Sequence, residues 1–149
     1  MMRIGIAADH AGVRLKEAIV RHLRGAGHVV TDRSPVPTDP ADDYPLIVAP
    51  LARALAAGEF DRALFCCGSG IGPAVVANKI AGVRAAMVGD EWSARDAVLH
   101  VDVNLLTLGE KVVGESLALS IVDAFLGSTA ELGRHERRRK QITEMEDQR

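Results

Sequence analysis

Residues 63–73 read Ala63-Leu64-Phe65-Cys66-Cys67-Gly68-Ser69-Gly70-Ile71-Gly72-Pro73. A short apolar run, a loop with glycine at every second position and then a proline describe a buried strand that turns sharply into a helix. Proline suits a first helical position because its missing N–H would be unpaired there anyway. The glycines let backbone N–H groups converge, and a helix N-terminus adds positive potential. Such a cradle can hold a phosphate or an oxyanion that develops during reaction. Tight packing alone also produces glycine turns of this kind. Cys67 opens the loop. A helix N-terminus favours thiolate over thiol, and a thiolate serves as nucleophile or general base. The plainer reading is a cysteine that merely ends a strand. Cys66 should point to the opposite face and behave as a small buried hydrophobe, and the adjacent pair does not suit an ordinary disulfide.

Outward from this segment the same alternation repeats. Strands are expected near Arg3–Ala7, His28–Asp32, Arg62–Cys66, Arg84–Val88 and Asn104–Leu108. Helices are expected near Gly12–Arg24, Tyr44–Ala57, Pro73–Lys79, Glu91–Val98, Glu115–Leu126 and Ala130–Asp147. In the first helix Leu15, Ala18, Ile19, His22 and Leu23 form one buried face, and Gly25 and Gly27 end it. Repeated β-α units with short connections imply a parallel sheet between helical layers. One domain spanning 1–149 is expected, without repeat or linker. The longest connection, Arg33–Asp43, carries three prolines and is a surface loop of a length often given to function. The last helix is heavily charged from Arg134 onward and should project or lie across another subunit.

Parallel α/β sheets bind ligands outside the carboxyl ends of their strands. Asp9 and His10 follow the first strand there, on the same rim as the Cys67 loop. Asp9 could equally cap the helix behind it. His100 precedes the fifth strand, where a lone histidine is often only a surface residue. Arg134 and Arg138 share a helical face at i,i+4, a pair of guanidinium forks suited to a phosphate monoester. A solvated charged helix is the alternative.

The remaining composition narrows the choices. The charged fraction is 26%, the net charge −2 and the aromatic fraction 3%, so neither nucleic acid nor an anionic membrane surface is an expected partner. No apolar run approaches the roughly 20 residues of a membrane span. Unpaired cysteines and the lack of a leader pattern point to the cytoplasm. No metal-ligand spacing stands out, and neither metal nor organic cofactor is expected. A nucleotide-binding module would use Asp32 as the acid ending the second strand, but Asp9-His10-Ala11-Gly12 lacks the glycines of the dinucleotide turn, and no Walker lysine follows the third strand.

Taken together, the chain resembles the type B ribose-5-phosphate isomerases, in the family that also holds the galactose-6-phosphate isomerase subunits. The resemblance rests on Ile6-Ala7-Ala8-Asp9-His10-Ala11-Gly12, Asp43-Tyr44-Pro45, Cys67-Gly68-Ser69-Gly70-Ile71-Gly72 and Ala77-Asn78-Lys79. It continues through Gly82-Val83-Arg84-Ala85-Ala86, the segment from His100 to Gly109, and Gly133-Arg134-His135 with Arg138. It implies a Rossmann-like three-layer α/β/α sandwich with a five-stranded parallel sheet. It also implies a homodimer with active sites at the subunit interface, the C-terminal helix reaching the partner. The implied reaction is aldose–ketose isomerisation of a phosphosugar through an enediolate, foremost ribose 5-phosphate to ribulose 5-phosphate.

By position, the resemblance makes Cys67 the base. The amides of Gly68, Gly70, Ile71 and Gly72, with the Ser69 hydroxyl, stabilise the enediolate, and Asp9 exchanges protons with the sugar hydroxyls. His100 opens the furanose ring, acting from the partner subunit. His10, Arg134 and Arg138 hold the phosphate, and Tyr44 lines the pocket. Pro73 stands where part of the family carries a glutamate base, so the role falls on Cys67. Val101 replaces an asparagine common after the histidine, which leaves room for allose, galactose or tetrulose phosphates. Lys111 aligns with a phosphate-binding arginine, keeping the charge without the fork.

Overall fold

The computed structural model describes residues 1–148. Five strands, β1 (Arg3–Ala8), β2 (Val29–Asp32), β3 (Arg62–Cys67), β4 (Ala85–Met87) and β5 (Leu105–Gly109), form one parallel sheet in the order β2-β1-β3-β5-β4. Six helices intervene or follow: α1 (Val13–Gly25), α2 (Tyr44–Ala56), α3 (Ile71–Ala77), α4 (Glu91–Val101), α5 (Glu115–Leu126) and α6 (Arg134–Glu146).

Alternation along the central strands sorts side chains into two cores. Ile4, Ile6, Ala8, Leu64, Cys66, Leu106 and Leu108 face α1, α4 and α5. Ala7, Ala63, Phe65, Cys67 and Leu105 face α2 and α3. β1, β3 and β5 read as near-continuous apolar runs because helices cover both their faces. A fully buried large side chain such as Phe65 or Phe125 contributes roughly 1.5–3 kcal/mol. This is the three-layer α/β/α sandwich expected. Cys66 and Cys67 are both buried and unpaired, one in each core, as the alternation requires.

The strand order places the reversal between β1 and β3. From β1 the chain moves outward to β2, then crosses back to enter β3 on the other side. Connections diverge there, opening a crevice at the carboxyl ends of β1 and β3. Asp9 and the Cys67 loop occupy it.

Three local expectations are corrected. α3 starts at Ile71, not at Pro73, because Gly70 takes a left-handed φ of 83° and turns the chain into the helix early. Pro73 is tolerated as the third helical residue because the first four N–H groups lack partners within the helix. α4 runs to Val101, so His100 lies in its last turn rather than in the connection before β5; Asp102, at φ 54°, ends the helix. α6 begins at Arg134, after Gly133 at φ 72°, and not at Ala130. Its first half also packs against α4 of its own chain. Arg139 donates to the His100 carbonyl at 3.3 Å and to the Glu131 carbonyl at 2.7 Å.

Candidate active site

The crevice is an open cleft of about 720 Å³, with Asp9, His10, Tyr44, Cys67, Ser69 and Lys111 among its walls. Each side chain is placed by the end of an element. Ala8 pairs with Cys66 across β1 and β3, and Cys67 pairs with Gly109 of β5. Asp9 and the Cys67 thiol therefore emerge side by side. Close approach depends on Gly12, where a Cβ would overlap the Cys66 carbonyl and lie 2.6 Å from the Cys67 nitrogen.

The loop is anchored from beneath. The buried Thr107 hydroxyl donates to the Gly70 carbonyl at 2.7 Å. Lys111 N–H donates to the Gly68 carbonyl at 3.0 Å, which fixes the lysine at the rim. Gly70 N–H donates to Cys67 Sγ at 2.9 Å, and Ile71 N–H to Ser69 Oγ at 3.3 Å. Two of the loop amides expected to face an enediolate are thus engaged within the loop, one of them directed at the sulfur. A donor aimed at sulfur stabilises negative charge there. Cys66 has no such support: burial pushes its thiol far up, away from reactivity.

Asp9 is buried, and desolvation raises its carboxyl above the ordinary value, against the hydrogen bond donated by Ala11 N–H at 2.9 Å. A carboxyl displaced in that direction is better suited to giving and taking protons near neutral pH. His10 is exposed and held by Asp42. His10 N–H and Nδ1 meet the two Asp42 oxygens at 3.0 and 2.6 Å. The hydrogen bond to Asp42 raises the His10 imidazole above its ordinary value, favouring the cation. Tyr44 opens α2 with Pro45 behind it, and its ring lies directly against Gly72.

Asp42 and Thr107 belong to this site and were not among the expected residues. The length of the 33–43 connection is the one signal in the sequence that points toward Asp42. Thr107 sits inside an apolar strand and carries no local mark of its partner.

His100, Arg134 and Arg138 are not brought into this cleft. They gather on the α4–α6 face, where Arg134 and Arg138 are exposed on one side of α6. There His100 Nδ1 lies 2.7 Å from Asp96 Oδ1. The His100 ring stacks on His135 with centroids 3.8 Å apart and planes 3° from parallel. Burial lowers His135 below its ordinary value, with the neighbouring His100 and Arg134 adding to the effect. Arg134 Nε donates to His135 Nε2 at 3.3 Å.

Two clusters could in principle hold a cation, His100–Glu131–His135 and Asp9–His10–Asp42, each with donor atoms within 4.8 Å of one another. Spacing along the chain had indicated neither, because each joins residues from separate elements. In the first, His135 Nε2 already accepts from Arg134 Nε; in the second, Asp42 and His10 are hydrogen-bonded to each other. Asp32, the residue a nucleotide site would use, is occupied as well. Burial works against its charge, but bonds from the Lys16 ammonium at 2.7 Å and from Ser34 hold its carboxyl below the ordinary value. Among the described residues no helix is long and apolar enough to cross a membrane.

Comparison with known proteins supplies the family. Residues 4–142 match the ribose/galactose isomerase family. Ribose-5-phosphate isomerase B of Escherichia coli is 41% identical over 149 residues, covering 100% of this chain and 99% of the relative. D-erythrulose-4-phosphate isomerase of Pectobacterium atrosepticum is 39% identical, covering 89% of this chain and 88% of the relative. The crystal structure of ribose-5-phosphate isomerase B from Mycoplasma genitalium with bound ribulose-5-phosphate superposes with a TM-score of 0.94 at 37% identity, covering 99% of this chain and 97% of that one. The chain belongs to the ribose/galactose isomerase family.

Proposed function

We propose that this chain, as a single domain over residues 1–149, interconverts ribose 5-phosphate and ribulose 5-phosphate with Cys67 as the base. It is an aldose–ketose isomerase, as its family and its relatives require. The observation that carries the residue assignment is the Cys67 sulfur on the cleft wall, receiving the Gly70 N–H at 2.9 Å beside the buried Asp9.

The reaction needs a base, a proton carrier and an oxyanion site. With the aldehyde form bound, the Cys67 thiolate takes the proton from C2, and the electron pair moves through C1 onto O1. The Ser69 hydroxyl, with the Gly68 and Gly72 amides, balances the charge that develops on the enediolate. Asp9 carries the O2 proton to O1, and the Cys67 thiol returns its proton to C1, leaving the ketone at C2. No external oxidant or hydride donor enters this balance. Tyr44 bounds the sugar. His10, raised toward its cation by Asp42, and Lys111 meet the phosphate.

His100, Arg134 and Arg138 complete the site from a second copy of the chain, in a homodimer whose active sites lie at the subunit interface. The support is their position: α6 presents both arginines to the outside, and none of the three lines the cleft of its own chain. We place the enzyme in the cytoplasm, where two unpaired thiols stay reduced.

A coupled assay with ribose 5-phosphate tests the substrate, the expected result being saturable turnover to the ketose. A second reading, a tetrose phosphate, is favoured by Val101. It puts an exposed apolar side chain beside His100 where the family resemblance would have an amide able to bind a sugar oxygen. Faster turnover of erythrose 4-phosphate than of ribose 5-phosphate would replace the first reading by the second.

A further inference from the structure

The α4–α6 face holds two groups that the mechanism above leaves without a role. Asp96 lies one helical turn before His100, and its carboxylate meets His100 Nδ1 at 2.7 Å. His135, from α6, is buried and covers one face of the His100 ring. His135 is itself fixed through Arg134 Nε, and Arg139 ties the His100 carbonyl to α6. The imidazole is therefore held at one nitrogen, along one face and at its backbone. Its other nitrogen, Nε2, makes no hydrogen bond among the described residues, the exposed Glu131 carboxylate lying 3.8 Å away.

This is the geometry of a held imidazole and not of a chelate. Parallel ring planes carry the lone pairs of His100 and His135 side by side, so they cannot meet at one ion unless a ring turns. An exposed i,i+4 acid–base pair can also be a mere helix-surface contact of little energy. Three constraints on one ring exceed what such a contact explains.

We infer that Asp96 is the positioning residue of the ring-opening imidazole. It accepts Nδ1–H of His100, which fixes the tautomer and leaves Nε2 to face the sugar, while His135 fixes the plane of the ring. The inference rests on the assignment of His100 made above. In the step, Nε2 takes the proton of the anomeric O1–H, the C1–O4 bond breaks as C1=O1 forms, and the imidazolium returns the proton to O4. The Asp96 carboxylate stabilises the cation that exists between the two transfers, as a buried aspartate does for the histidine of a hydrolase triad.

The test separates ring opening from enediolate formation. Ribulose 5-phosphate is acyclic, because its 5-oxygen carries the phosphate, so exchange of its C1 hydrogen with deuterated solvent needs no ring chemistry. In Asp96→Asn, kcat/KM for ribose 5-phosphate should fall about tenfold or more while the exchange rate stays within about twofold of wild type. Asp96→Glu should restore part of the loss. A parallel fall in both rates would mark a structural role and overturn the inference, as would an unchanged kcat/KM. A wild-type protein that exchanges ribulose 5-phosphate but ignores ribose 5-phosphate would also overturn it. Failure to exchange at all would instead remove the ribose 5-phosphate reading on which it rests.

Discussion

On the proposed reading, the rim between β1 and β3 and the face between α4 and α6 carry the two halves of one chemistry, and they are built differently. On the rim, Asp9 and Cys67 are buried at strand ends and the loop is pinned from below by Thr107. On the face, Arg134 and Arg138 stand on a helix whose only buried residue is His135. A rigid sheet edge suits proton transfer, where misplacement of the base by a fraction of an ångström is costly. A charged helix suits binding of a phosphate, where long side chains can adapt. In the proposed homodimer each half would meet its complement on the other copy.

The sharpest way to break this division is Cys67→Ala. If the rim performs proton transfer, kcat and solvent exchange into ribulose 5-phosphate both fall by about 10²- to 10⁴-fold with the fold intact by circular dichroism. Near-normal kcat would remove Cys67 as the base. Next in size is Arg134→Ala, which removes a charge-assisted contact worth about 1.5–3 kcal/mol. KM for the phosphosugar should rise by roughly 10- to 100-fold with a smaller change in kcat. Unchanged affinity for inorganic phosphate would take Arg134 out of the site.

A mixing experiment sharpens the comparison itself. Cys67→Ala and His100→Ala are each expected to be inactive, because each destroys one half of every site. After subunit exchange, mixed dimers carry one site built from two intact halves, so activity should return to about a quarter of wild type. No recovery, with exchange of subunits verified by mass spectrometry, would mean that the two halves do not meet across an interface.

The smallest effect is on stability. Burial raises the Asp9 carboxyl, so the folded protein holds that proton more tightly than the unfolded chain does. This group's contribution to stability is therefore full in acid, below the unfolded value, and is lost as pH rises through the folded one. Asp9→Asn removes the charge. Its Tm should exceed that of wild type at neutral pH, and the gain should shrink as pH falls toward the ordinary carboxylate range, while activity is lost. A Tm gain independent of pH would mean that desolvation of the charge is not the cause.

Much of the rim was legible along the chain because its signals are local. An apolar run, a glycine turn and a cysteine occupy consecutive positions, and the rule that ligands bind at strand carboxyl ends brings Asp9-His10 beside them. Helix limits were less legible. α3 starts early because Gly70 adopts a left-handed φ, and α4 runs on because Asp102 does the same only after Val101. Neither turn is dictated by residue type alone. The supporting residues were least legible of all. Thr107 looks like any strand residue until its hydroxyl is seen under the Gly70 carbonyl. Asp96 looks like a surface acid until His135, from a helix more than thirty residues later, covers the ring it holds.

The sequence by itself determined the β-α order, the two-faced burial that separates Cys66 from Cys67, and the place of the glycine loop at the carboxyl end of β3. These follow from periodicity and from backbone chemistry, which act between near neighbours. Only the tertiary structure decided which groups tune the reactive ones. The clamp of Asp42 on His10, the stack of His135 on His100 and the distance of His100 from its own Cys67 depend on where separate elements come to rest. That placement is fixed by packing across the whole sheet, and no short stretch of the chain encodes it.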